Sequence, residues 1–316
     1  MSGPQQGRLN GRDLAAVLAV VLIWGMNFVV MKAGLRDFSP FQLGAARYVL
    51  AVLPAVLIVR PPRIHWKWVV LYGLLQGVGQ FGLLFLALKV GMTAALASVL
   101  LQTQVFFTAL FGFVLLNERA SKPLQVGMGL AALGLACFAM NYLAPGTVAG
   151  TATTSTTAWG LGLTLCASAM WASSNIVARQ VQQRYKDYSP VAFVVWSSTV
   201  AIVPFIALSL AFDDPAIRWH WLDARLGSWL AVAYLGWVAT VLGYSLWTGM
   251  LKRRPANRVA PFSLGVPIVG LAAGVGLLGE VITPWQWAGI ALVVAALVCV
   301  MLGGRKVQWW GTKPGD

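Results

Sequence analysis

Eight side chains in this 316-residue chain are out of keeping with their surroundings. Amides stand inside long apolar runs at Asn27, Gln80, Gln102, Gln104 and Asn175, and Tyr244 and Trp247 share another run, three residues apart. Polar groups in hydrocarbon are costly, so their positions carry information. Amides, a phenol hydroxyl and an indole edge suit a neutral or zwitterionic polar solute. The same residues could instead bond helix to helix, a contribution of about 0.6 kcal/mol each. Gln76, four residues before Gln80, and Thr240, one turn before Tyr244, belong to the same pattern. The eighth side chain, Arg47, is the one full charge well inside an apolar run. It could snorkel toward the outer end of its helix or bind a substrate carboxylate.

Other chemistries lack their residues. There is no G-x-S-x-G, no cluster with metal-ligand spacing and no phosphate loop, so no enzyme activity, metal or cofactor is expected. Cys137, Cys166 and Cys299 lie inside apolar runs without a pairing pattern and read as small packing residues. No Asp or Glu falls within an apolar core: Asp13, Glu118 and Glu280 mark helix ends. Obligate proton antiport therefore lacks an obvious carrier, and Glu118 and Glu280 are expected to pair with nearby bases or to cap helices. Pro261 and Pro267, six apart in one run, predict a kinked helix suited to gating.

The elements that must position these residues follow from composition. The chain is 59% hydrophobic and 10% charged, with a mean hydropathy of +0.74. That is an integral membrane protein, and spans this long must be helices because lipid satisfies no backbone group. Ten spans are predicted, at about 14–31, 41–59, 68–88, 93–116, 124–143, 160–178, 190–211, 228–250, 257–279 and 285–303. With the N-terminus in the cytoplasm, 17 of the 23 Lys and Arg fall in inner segments and 5 in outer ones. Both termini are then cytoplasmic. The net charge of +14 is spread over these short loops and does not indicate nucleic-acid binding.

The chain also repeats itself. Ala94, Gly112, Leu116 and Glu118 recur 162 residues later as Ala256, Gly274, Leu278 and Glu280. Trp24 and Lys32 match Trp171 and Arg179, and Ser39-Pro40 matches Ser189-Pro190. The unit is five helices, an odd number, so the second copy is expected upside down. The domains read as 13–143, a flexible outer linker over 144–159, 160–303, and a cytoplasmic tail over 304–316. Inverted repeats imply alternating access, with a site at the midplane between the copies. A duplicated channel or scaffold would share the pattern.

Three stretches carry a family resemblance: WGMNFVVMKAGL at 24–35, AALASVLLQTQVFFTALFGFVLLNER at 94–119 and RVAPFSLGVPIVGLAAGVGLLGE at 258–280. They resemble the EamA family of the drug/metabolite transporter superfamily. Within it, LQTQVFFT, Gly79-Gln80-Phe81 and Trp171-x3-Asn175 look like bacterial exporters of cysteine and O-acetylserine. The resemblance implies ten helices in inverted repeats around a central cavity lined by helices 1, 3, 4, 6, 8 and 9. Carried over, it implies a cavity lined by Asn27, Gln80, Gln102, Gln104, Asn175, Tyr244 and Trp247, the set already chosen by polarity. The expectation is a multi-pass protein of the bacterial inner membrane, acting as a single copy among lipids, that exports small amino acids or metabolites. Aromatic amino acid or broad drug export is the alternative within the class.

Overall fold

A computed structural model of the chain describes residues 11–53, 55–116, 121–143, 158–185, 187–216, 218–253 and 259–307. Residues 144–157 of the expected linker, Glu118 and the tail beyond residue 307 lie outside these, and the last two linker residues, 158 and 159, already belong to a helix. No β-strand occurs among the described residues. The chain runs as α1 (Gly11–Gly34), α2 (Pro40–Val52, followed by the turn Ala55–Ile58), α3 (Trp66–Lys89), α4 (Ala94–Val114) and α5 (Lys122–Met140). Then come α6 (Ala158–Arg184), α7 (Pro190–Phe212), α8 (Leu226–Trp247), α9 (Phe262–Leu278) and α10 (Pro284–Met301). Among the described residues, nine are long and apolar enough to cross a bilayer, and α9 is a shorter apolar helix. This is an all-α, multi-pass membrane protein.

Its outer surface is apolar where a soluble protein's would be charged. Leu18, Leu22, Phe113, Val203, Ile206 and Leu210 are all exposed. Exposed tryptophans cluster near helix ends, at Trp66, Trp159, Trp219, Trp285 and Trp287, as headgroup-level anchors do. Cys166 is among the outward-facing residues, which corrects its reading as interior packing.

The helix ends follow local rules. Ser39 caps α2 by a reciprocal box: its Oγ accepts from the Gln42 N–H and the Gln42 Oε1 accepts from the Ser39 N–H, both at 3.1 Å. Thr93 caps α4 and Ser189 caps α7, and prolines open α2 and α7. Four of the spans depart from the regular helices expected. The second breaks at Leu53, which is extended (φ −88°, ψ 128°) because it precedes Pro54. The fourth carries a 3-10 turn over Leu101–Thr103. The third and eighth each widen into π-helix, over Gly73–Gly82 and Tyr234–Leu242.

Packing between the first five helices and the last five has one pattern. Helix α1 packs on α8 and α9, and α6 packs on α3 and α4; α2 meets α8, and α7 meets α3. The pairs α2–α7, α4–α9 and α5–α10 join them. Exchanging each helix for the one five later maps these contacts onto themselves; a smaller α4–α10 contact falls outside the pattern. Glycines allow the closest approaches. A β-carbon on Gly236 of α8 would lie 3.0 Å from the Arg47 carbonyl oxygen and 3.1 Å from the Ala51 nitrogen on α2. Gly73, at the start of the π segment of α3, is pressed on the Ser197 carbonyl of α7 in the same way.

One end of the bundle is tied by polar contacts. Glu280, at the end of α9, accepts from the first backbone N–H groups of α4, Ala94 and Ala95, at 2.7 and 2.8 Å. It also meets Lys32 Nζ of α1 at 3.1 Å. Helix N-termini favour an anion. Glu280 is buried, as are Asp13 and Asp213, so the expectation that acids stay outside the core fails for all three, while the capping and pairing role of Glu280 holds. At the same end the Arg225 guanidinium pairs with Asp37 at 2.8 Å, and Ser228 donates to it. These donors hold the Asp37 carboxyl well below the usual carboxylate range.

Glu280→Ala strands two helix N–H groups and Lys32, and a loss of about 3 kcal/mol in stability is expected. Glu280→Gln keeps one acceptor and loses less. Thermal unfolding in detergent ranks the two variants; equal losses would mean that the retained amide acceptor contributes nothing and that the carboxylate charge carries the effect.

Candidate functional site

The polar residues nominated from sequence lie on different helices, and folding brings them to one place. A cavity of about 280 Å³ lies between the two sets of five helices. All eight nominated side chains line it: Asn27, Arg47, Gln80, Gln102, Gln104, Asn175, Tyr244 and Trp247. Besides α1, α3, α4, α6, α8 and α9, the wall takes Arg47 from α2 and Met301 from α10, two helices absent from the expected set.

Local irregularity delivers several of these groups. Residues two apart do not share a face of an α-helix, yet Gln102 and Gln104 both line the cavity. The 3-10 turn at Leu101–Thr103 tightens the chain between them. Thr103 anchors that turn, its Oγ1 bonding the Leu100 carbonyl at 2.7 Å and lying 2.8 Å from Ser168 Oγ of α6. Gln80 sits in the π segment of α3 and Thr240 in that of α8. There the wider register lets Thr240 Oγ1 donate to the Leu235 carbonyl at 2.8 Å. Such bulges recur at functional sites.

Arg47 does not snorkel. It is 2% exposed, and its side chain crosses to α8, where Nε and Nη2 donate to Thr240 Oγ1 at 3.3 and 3.1 Å. Its guanidinium carbon lies 3.8 Å from the ring centre of Phe81, which faces it as a cation–π partner. Nη1 has no hydrogen-bond partner. Neither recorded ion pair, Lys32–Glu280 nor Asp37–Arg225, involves this residue. A guanidinium cannot deprotonate to relieve its burial, so the site carries a fixed positive charge.

Two acceptors complement that donor. Asn27 Oδ1 and Gln80 Oε1 are buried without a partner. The amides on the other side of the cavity are engaged: Asn175 Nδ2 donates to Gln104 Oε1 at 2.8 Å, bonding α6 to α4. Gln76 faces away from the main cavity. It accepts from Ser174 at 2.5 Å and reaches the Tyr244 hydroxyl at 3.4 Å. The aromatic wall is larger than Tyr244 and Trp247 alone. Trp24 packs 5.2 Å from Tyr244 and 5.6 Å from Trp247, ring centre to ring centre, and its indole N–H holds the Ala239 carbonyl. Trp171, Tyr72 and Phe81 also line the cavity. Trp24 and Trp171 were within reach of the sequence, since each precedes a nominated asparagine by three or four residues and so shares its face.

Pro261 and Pro267 flank the start of α9. Pro261 lies in a 3-10 turn over Ala260–Leu264, and Pro267 is buried in the first turn of the α-helix that follows. The stretch in which a kink was expected carries this 3-10 to α transition.

Ten apolar helices gathered round a polar cavity define a membrane transporter. The chain belongs to the EamA-like transporter family, whose sequence model matches it twice, over residues 13–140 and 158–302. A relative from Salmonella typhimurium, described as "Probable amino-acid metabolite efflux pump", is 37% identical over 94% of this chain and 97% of its own length. One of the same description from Escherichia coli K12 is 36% identical over the same shares. A solved crystal structure covers 95% of this chain and 99% of its own with a TM-score of 0.59 at 17% identity, a likeness of fold.

Removing the Arg47 charge relieves an uncompensated burial. Arg47→Met is expected to raise stability by about 1–2 kcal/mol while impairing transport. Unfolding in low-salt detergent solution without added solute measures the first effect; a lower melting temperature would show that the guanidinium bonds to Thr240 outweigh its desolvation.

Proposed function

We propose that this protein exports small zwitterionic amino acids or related metabolites, of the cysteine and O-acetylserine type, across the bacterial inner membrane by alternating access. One observation carries the reading. The cavity offers a buried cationic donor, Arg47 Nη1, and two unpartnered amide oxygens, on Asn27 and Gln80. A zwitterion supplies the complements: its carboxylate to Arg47, its ammonium group to the amide oxygens. Gln102 and Gln104 extend the polar wall, and Trp24, Tyr244 and Trp247 form an apolar face for the side chain. The names of the two relatives support an amino-acid metabolite as the cargo.

The two halves, 13–143 and 160–303, act as inverted five-helix repeats that rock about this site. Support comes from the double family match, the contact pattern that survives exchange of the halves, and the π segment in the third helix of each. The excess of positive charge on one side supports cytoplasmic termini. The Glu280 contacts and the Asp37–Arg225 pair then close the outer end. The 3-10 to α transition at Pro261 and Pro267 is the point about which α9 bends.

Counterflow of labelled cysteine, O-acetylserine and tryptophan into liposomes holding the purified protein tests this. Small amino acids are expected to exchange. Gln80→Leu and Gln102→Leu are each expected to slow transport about tenfold through lost hydrogen bonds to a charged group. Wild-type rates in both well-folded variants would sink the assignment, and movement of tryptophan alone would move the cargo to the aromatic class.

A further inference from the structure

Beside the main cavity lies a second, much smaller chamber of about 20 Å³. It is large enough for one water-sized body and little more. Arg47 and Tyr244 line both spaces. Tyr72 and Phe81 also line both; on the chamber side the wall adds Tyr48 and Ser197, with Thr240 behind the guanidinium. Two of these residues hold unmet donors. Arg47 Nη1 and Ser197 Oγ are buried without partners, and each residue is 2% exposed. No Asp or Glu lines the chamber among the described residues.

We propose that this chamber binds a single small monovalent anion of chloride size, held by Arg47 and Ser197. The physical case rests on charge, donors and volume. Arg47 stays protonated, and its partners Thr240 and Phe81 supply no negative charge. An uncompensated charge of this kind is strongly disfavoured in a dry interior. Thr240 and Ser198 donate their hydroxyls to backbone carbonyls, but the Ser197 hydroxyl has no partner and can turn its hydrogen toward an anion. A metal cation is repelled by the guanidinium. Sulfate, or a carboxylate still attached to its solute, exceeds the volume. A halide satisfies charge, donors and space together.

Arg47 forms part of both walls, so the anion neutralises the guanidinium when the main cavity is empty. A solute carboxylate approaching from the larger side then meets a partly compensated charge, and chloride is expected to weaken apparent affinity for carboxylate-bearing solutes. By linkage a bound carboxylate weakens the anion to the same extent, so the chamber's occupancy is measured with no solute present.

The test uses the purified full-length chain in detergent, with sodium gluconate replaced stepwise by sodium chloride or bromide at constant ionic strength. A saturable rise in melting temperature is expected. Arg47→Gln abolishes the increment, and Ser197→Ala shifts half-saturation about fivefold upward by loss of one neutral donor. Ser197→Ala keeps the test valid should Arg47→Gln fail to fold. Crystals grown in bromide are expected to show an anomalous peak in the chamber. Equal melting in gluconate and chloride overturns the proposal, as does an increment unchanged in Ser197→Ala. So does a bromide data set without a peak there, which leaves the chamber to water. A rise that acetate reproduces in full also overturns it, by assigning the guanidinium to carboxylates rather than halides.

Discussion

A permanent positive charge buried between helices sets the terms for the rest of this structure. Arg47 sits on α2, and its contacts are on α8 and α3, so the charge can be held only if three helices meet closely. Gly236 makes the α2–α8 approach possible: its missing side chain leaves room for the Arg47 and Ala51 backbone. The π segment of α8 then sets Thr240 where both guanidinium nitrogens can reach it. The π segment of α3 does the same for Gln80 and, one residue further on, for Phe81. A regular α-helix in either place would rotate these groups relative to their partners, since each inserted residue turns a helix by about 100°. Two helices therefore give up ideal backbone geometry where the cavity needs a side chain, a common reason for π-bulges to persist.

A second constraint acts at the helix ends, where backbone groups lack intrahelical partners. Here the solution joins separate helices. Glu280 closes α9 and at the same time caps α4 and pairs with α1. Asp213, at the end of α7, accepts from Ser39 at the start of α2 at 2.6 Å. Gln42 reaches the Arg218 carbonyl. Each of these contacts crosses between the first five helices and the last five. They resist separation of the halves at this end.

Much of this was legible in the sequence, and the physical reason is the bilayer. Hydrocarbon tolerates few polar side chains, so an amide inside an apolar run is a strong signal, and the eight residues chosen that way do share one cavity. The spans were legible for the same reason. What stayed hidden depends on rotation and on tertiary partners. The direction of Arg47 could not be read because a long flexible side chain can run either way along its helix; Phe81 and Thr240, remote in sequence, decide it. The 3-10 turn at Leu101–Thr103 and both π segments leave no mark in a pattern of apolar residues. Burial of Glu280 was missed because a glutamate before a turn resembles any solvated helix end. The αL glycine before it, Gly279 (φ 65°), ends α9 and brings the carboxylate to α4. The break of α2 before Pro54 was readable from the proline itself.

The chemistry of the cavity also limits what it can accept. A substrate with two negative charges would meet one guanidinium and then the carbonyl oxygens of Asn27 and Gln80, which repel a second anion. A substrate with only a positive charge would find those oxygens but also the Arg47 charge. A neutral apolar molecule would leave all three groups buried and unsatisfied, a penalty of about 1–3 kcal/mol for each. A zwitterion alone offers opposite charges a few bonds apart and satisfies donor and acceptors together. Its side chain is then left to the aromatic wall of Trp24, Tyr244 and Trp247, whose flat faces discriminate weakly between small apolar or polar groups. On the proposed reading, recognition of the charged α-amino acid unit and tolerance of the side chain would come from the same arrangement.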